Sequence, residues 1–145
     1  MLKENDKDFD FWQDHSDTYL EMAYRTDKLE RIERPDGYGK RTGECGDTIE
    51  LFLTIRDDCI QNASFYTDGC LNTVACANTV VSIIEGQEIA KAWDLSPETV
   101  AEYLGTLPSN EFHCAELAVG ALYLALSDLR AMKRQPWKKA YGRRR

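Results

Sequence analysis

The sequence contains no CxxC pair, only two histidines, and no run approaching the roughly 18 consecutive apolar residues that a membrane span requires. Each shortage excludes something. Without cysteines paired close in sequence, a thiol oxidoreductase has no redox couple, unless Cys70 and Cys76 served as one, and a zinc deaminase lacks its Pro-Cys-x-x-Cys element. The opening stretch Met1 to Asp10 is acidic, the reverse of a signal peptide's basic leader, so a cytoplasmic location is the expectation and a membrane role is not. No internal repeat is found, and no low-complexity segment apart from a basic tail.

What is present is ordinary globular material. Of 145 residues, 43% are hydrophobic and 10% aromatic, enough for one core without disulfides, so residues 1–145 are expected to form a single domain. The net charge of −7 is unevenly spread. Arg130 to Arg145 holds eight basic residues and no acid, and subtracting those eight from −7 leaves −15 on the remainder. An acidic body repels phosphates, so a nucleic-acid partner is not expected. Residues 136–145 read as a flexible basic tail, either a solvated terminus or a docking segment.

The periodicities predict an α+β fold: a small antiparallel β-sheet with helices packed on one face and a long C-terminal helix. A helix is expected over 9–24, where Trp12, Tyr19, Leu20, Ala23 and Tyr24 have helical spacing. Glu33 to Lys40, with Pro35, Gly37 and Gly39, reads as turn or loop. Ile49, Leu51, Leu53 and Ile55 alternate as in a half-buried strand, and a second strand over 60–67 completes a hairpin. A helix follows over 71–85, stopped by Gly86, and Ser96-Pro97 opens a short one with a serine cap and proline at the first turn. The last helix, over about 114–133, carries Leu117, Ala118, Ala121, Leu122, Ala125, Leu126, Leu129 and Met132 on one stripe.

Five cysteines in a reducing compartment are packing residues, metal ligands or reactive groups rather than bridges. Three fall at element boundaries: Cys45 before the first clear strand, Cys70 between strand and helix, and Cys114 at the start of the last helix. With Asp47 two residues after Cys45, and His113 beside Cys114, the candidate ligand set is Cys45, Asp47, Cys70, His113 and Cys114. Thiolate and imidazole suit zinc or iron, and a helix start after Cys70 favours the thiolate. Gly43, Gly46 and Gly69 let backbone approach a bound group. Cys59 and Cys76 read as bystander and core. Taken alone, the spacing leaves open a structural zinc domain, or a zinc hydrolase in which Glu116 assists a metal-bound water.

Gly43-Glu44-Cys45-Gly46-Asp47, then Asp68-Gly69-Cys70, then His113-Cys114 ahead of an alanine-rich helix, resembles the IscU/NifU N-terminal family of iron–sulfur cluster assembly scaffolds, from about Tyr38 to Leu129. The resemblance implies cluster cysteines at 45, 70 and 114, an aspartate at 47 that makes the cluster labile, and an additional or alternate ligand in His113. It further implies a [2Fe–2S] product built from iron, zinc as a frequent occupant of the cluster-free site, a cysteine desulfurase as sulfur donor and apo iron–sulfur proteins as recipients. The chain is then a scaffold rather than an enzyme. Leu107-Pro108-Ser109-Asn110-Glu111 stands where many of these proteins carry a Leu-Pro-Pro-Val-Lys segment bound by an Hsp70-type chaperone; only Leu-Pro is kept, which weakens the expectation of that partner. The related SufU branch, a zinc-bound sulfur acceptor, typically has an insertion before its last cysteine and lacks the histidine. Here His113 is present and no extra segment is apparent, which favours the scaffold branch. The further modules of a full-length NifU are not expected.

Overall fold

The structure, a computed structural model, describes residues 14–134. Three antiparallel strands, β1 (Gly37–Thr42), β2 (Thr48–Arg56) and β3 (Cys59–Thr67), lie in the order β1-β2-β3. Their register pairs Gly39 with Leu51 and Leu51 with Phe65, so Ile49, Leu51, Leu53, Ala63 and Phe65 share one face, all fully buried. Helices cover that face: α1 (Asp17–Tyr24), α2 (Leu71–Ile84), the short α3 (Ile89–Ala92), α4 (Pro97–Leu104) and α5 (Phe112–Arg134). Of these, α5 lies across β1 and β2 while α2 lies against β3 and α5, and α1 and α4 pack on α2. Phe52 is buried on the opposite face, its ring 5.3 Å from that of Tyr38.

The α+β architecture follows the sequence reading closely, with three differences. The segment expected to be turn or loop over 33–40 contains the start of β1. Glycine weakens a strand, but here it is required by packing: a Cβ on Gly39 would stand 2.3 Å from the Ala121 carbonyl oxygen and 2.5 Å from the Ala125 nitrogen. The strand can touch the backbone of α5 only where side chains are missing. The second difference is the first helix, which is interrupted: Asp14 is helical, His15 and Ser16 are not, and α1 starts at Asp17. Ser16 takes the cap position and accepts from the Tyr19 N–H at 3.0 Å, so local side-chain capping breaks the longer helix expected from 9. Its residues 9–13, Trp12 among them, lie outside the described residues, as does the tail over 136–145.

The third difference concerns α5, which begins at Phe112, two residues before Cys114. Its stripe residues Leu117, Ala118, Ala121, Leu122, Ala125 and Leu126 are buried as expected, whereas Glu116 and Arg130 are exposed. By length and composition alone the stretch Ser109–Ala131 could cross a membrane. Its most apolar part is 56% buried within the protein, and it serves as the core helix on which the sheet rests.

Candidate metal centre

Sequence-local rules place each thiol. Cys70 occupies the cap position of α2 in extended conformation, with its side chain making no capping bond, so the sulfur is exposed at the helix start. Cys114 lies in the first turn of α5 and is buried at 1% exposure. Cys45 is exposed on the β1–β2 turn, which is closed by the Gly43 N–H donating to the Asp47 carbonyl at 2.9 Å. Asp47 is the last residue of that turn, and its carboxylate reaches across to α2.

Thr73, one helical turn beyond Cys70, joins these pieces. Its hydroxyl is fully buried and donates to Asp47 Oδ2 at 2.9 Å; the same oxygen is 3.5 Å from Cys114 Sγ and 3.7 Å from Cys70 Sγ. Gly69 makes room for this approach, because a Cβ there would stand 2.9 Å from both Asp47 Oδ2 and the Thr73 Cβ. Behind it, Thr67 donates to the Thr48 carbonyl at 2.6 Å and accepts from the Gly69 N–H at 3.1 Å, which ties the end of β3 to the start of β2.

Glu111 is the second residue that spacing and motif did not single out. Its Oε1 is 3.6 Å from Cys114 Sγ, and the ligand atoms of Cys70, Glu111 and Cys114 all lie within 4.8 Å of one another. His113 Nε2 stands 3.7 Å from the same Glu111 oxygen. Cys45, Asp47 and His113 are outside the tight trio, Asp47 being linked to it through Thr73. A helical reading of spacing could have found both missed residues: Thr73 is three after Cys70 and Glu111 three before Cys114, each a one-turn neighbour of a thiol.

Burial dominates the electrostatics. It pushes the Cys114 thiol up to about 12; the Thr73 hydroxyl opposes the shift, while neighbouring Cys70 and Glu111 add to it. Cys76, fully buried, is raised well above its ordinary value by burial first and then by Cys114 and Cys70. Tyr19, whose hydroxyl donates to Asn72 Oδ1 beside the site, is raised to about 12, again mainly by burial. Negative charge is thus disfavoured around these sulfurs until a cation offsets it. Cys59 lies half-buried at the hairpin end, away from this group.

A strand-to-helix junction and the start of a long helix therefore bring two thiols, a carboxylate and a hydroxyl-anchored aspartate to one end of a three-stranded α+β domain. The chain belongs to the family of the NifU-like N terminal domain, which it matches over residues 28–136. Among its relatives is the iron-sulfur cluster assembly scaffold protein IscU 1 of Archaeoglobus fulgidus, 30% identical over 115 residues, covering 79% of this chain and 75% of that protein. The nitrogen fixation protein NifU of Nostoc sp. is 30% identical over 128 residues, 82% of this chain, which spans only 43% of that longer protein. Among solved structures, a NifU-like N-terminal protein of Brucella abortus superposes with a TM-score of 0.64 at 14% identity, covering 80% of this chain and 94% of that one. FiSufU of Fervidobacterium islandicum AW-1 gives 0.65 at 16% identity, covering 77% and 95%. At such identities the likeness to the two structures is one of fold.

Proposed function

We propose that this chain is a carrier on which a [2Fe–2S] cluster is assembled from iron and desulfurase-derived sulfur and from which it passes to apo iron–sulfur proteins in the cytoplasm. The observation that carries the reading is the thiol pair Cys70–Cys114 with Asp47 held beside it through Thr73, in a chain whose relatives are named cluster assembly scaffolds. Cys45, Cys70 and Cys114 supply thiolates; Asp47 supplies a harder and weaker ligand that can leave; His113 stands next to the site as an additional or alternate ligand. Zinc, which accepts the same donors, competes for the cluster-free site.

The exposures fit a hand-over role. Cys114, buried, anchors the cargo from below, while Cys45 and Cys70 are exposed on the solvent side, where a donor or recipient protein can reach. Anaerobic reconstitution with iron, sulfide and a cysteine desulfurase tests the assignment by visible spectrum. Serine at 45, 70 or 114 should abolish a stable cluster, and serine at 59 or 76 should not. A normal spectrum from Cys114→Ser would overturn it.

A further inference from the structure

Glu111 ends a one-turn 3-10 helix, Ser109–Glu111, in which its N–H donates to the Pro108 carbonyl at 2.9 Å. That turn delivers the side chain to the mouth of the thiol pair, half-buried, with its carboxylate oxygen 3.6 Å from Cys114 Sγ and 3.7 Å from His113 Nε2. Two donors on one tetrahedral cation, with bonds of about 2.0–2.3 Å, sit roughly 3.5 Å apart. The trio spans at most 4.8 Å, so side-chain rotation of about an ångström closes it onto an ion. Cys45, on its exposed turn, is not among the three.

We propose that Cys70, Cys114 and Glu111 form a two-thiolate, one-carboxylate site that takes up a single divalent iron or zinc ion without Cys45, Glu111 being a ligand beyond the set that the cysteine motifs mark out. The chemistry suits an entry site. Two soft thiolates hold a borderline cation, and one hard carboxylate can exchange for a further sulfur when a cluster grows. His113 Nε2 lies 3.7 Å from the same carboxylate oxygen. The inference rests on the scaffold reading only for the later use of the ion; the binding site itself stands on the geometry. The competing role for Glu111 is electrostatic, an acid beside the start of α5 that favours the helix and touches no metal.

Cobalt(II), whose thiolate charge-transfer and ligand-field bands report its donors, separates the two when titrated anaerobically into the reduced full-length chain and its variants. Glu111→Gln, which keeps the shape, should weaken cobalt binding by at least about tenfold. Cys45→Ser should bind within about twofold of the parent with unchanged charge-transfer intensity, and Cys70→Ser should lose the bands. Glu116→Gln, an exposed acid farther along the same helix, should change nothing. Should Glu111→Gln lower the thermal midpoint, Glu111→Asp must recover part of the affinity. Parent-like affinity in Glu111→Gln, no recovery in Glu111→Asp, or a loss in Cys45→Ser equal to that in Cys70→Ser would overturn the site. A parent protein that binds cobalt as described yet builds no cluster would instead count against the scaffold reading alone.

Discussion

The buried hydroxyl of Thr73 donates to the Asp47 carboxylate at 2.9 Å while standing 3.5 Å from the sulfur of Cys114. A threonine has one hydroxyl proton, and a charge-assisted bond to a carboxylate takes it in preference to sulfur. The sulfur of Cys114 lies within reach of the same hydroxyl while its own S–H points to Glu111 Oε1 at 3.6 Å, so one threonine holds the aspartate in place and ties it to the buried thiol.

This arrangement predicts a graded pair of mutants. Asp47→Ala should lengthen the lifetime of a reconstituted cluster in air and slow its transfer to an apo-ferredoxin, because the exchangeable ligand is gone. Thr73→Val should shift both in the same direction by a smaller amount, since the carboxylate is no longer anchored, and should cost about 1.5–3 kcal/mol of stability for the lost bond to a charged group. Thr73→Ser should behave as the parent. Cluster absorbance against time, with and without acceptor, measures this; a parent-like transfer rate in Thr73→Val would remove the threonine from the account.

Cys76 predicts an alkaline sensitivity. In the folded chain burial keeps its thiol protonated above its ordinary value of 9.0, whereas the unfolded chain releases that proton near pH 9. The native state then binds more protons, so this contribution is complete below about pH 9 and falls as pH rises beyond it. Cys76→Ala should make the decline in stability above pH 9 shallower, by at most about 1.4 kcal/mol per pH unit. Urea unfolding from pH 7 to 10 reads the slope. In the native protein an alkylating reagent should label exposed Cys45 and Cys70 first and Cys76 last.

The glycine strand predicts a stability contrast between two alanines. Gly39→Ala forces a methyl against the Ala121 carbonyl at 2.3 Å, a backbone atom that cannot step aside, and should cost about 3 kcal/mol, at the upper end of overpacking. Gly43→Ala meets only the flexible side chain of Leu117 at 3.5 Å and should stay within about 0.5 kcal/mol of the parent. Thermal denaturation of both settles whether α5 rests on bare backbone. Equal midpoints would mean that it does not.

Much of this protein was legible along the chain because its information is local. Alternation at Ile49, Leu51 and Leu53 specifies a strand with one buried face, Ser96-Pro97 specifies a capped start, and the spacing Leu117 to Leu126 specifies a buried helical stripe. Gly37 to Thr42 was illegible for the opposite reason. Its glycines read as a turn on propensity, and only the closeness of α5, eighty residues away in sequence, makes a strand without side chains the better packed choice.

The site divides the same way. The positions of Cys45, Cys70 and Cys114 at element boundaries, each beside a glycine or a helix start, were determined by sequence and pointed to thiol chemistry. Thr73 and Glu111 carry no motif of their own: the part of Thr73 depends on Asp47, 26 residues away in sequence, and that of Glu111, a local neighbour of Cys114, depends on Cys70 being brought within 4.8 Å of both. Tertiary structure decided them, because whether a hydroxyl or a carboxylate matters to a metal site depends on which groups the packing of α2 against α5 brings within a few ångströms of it.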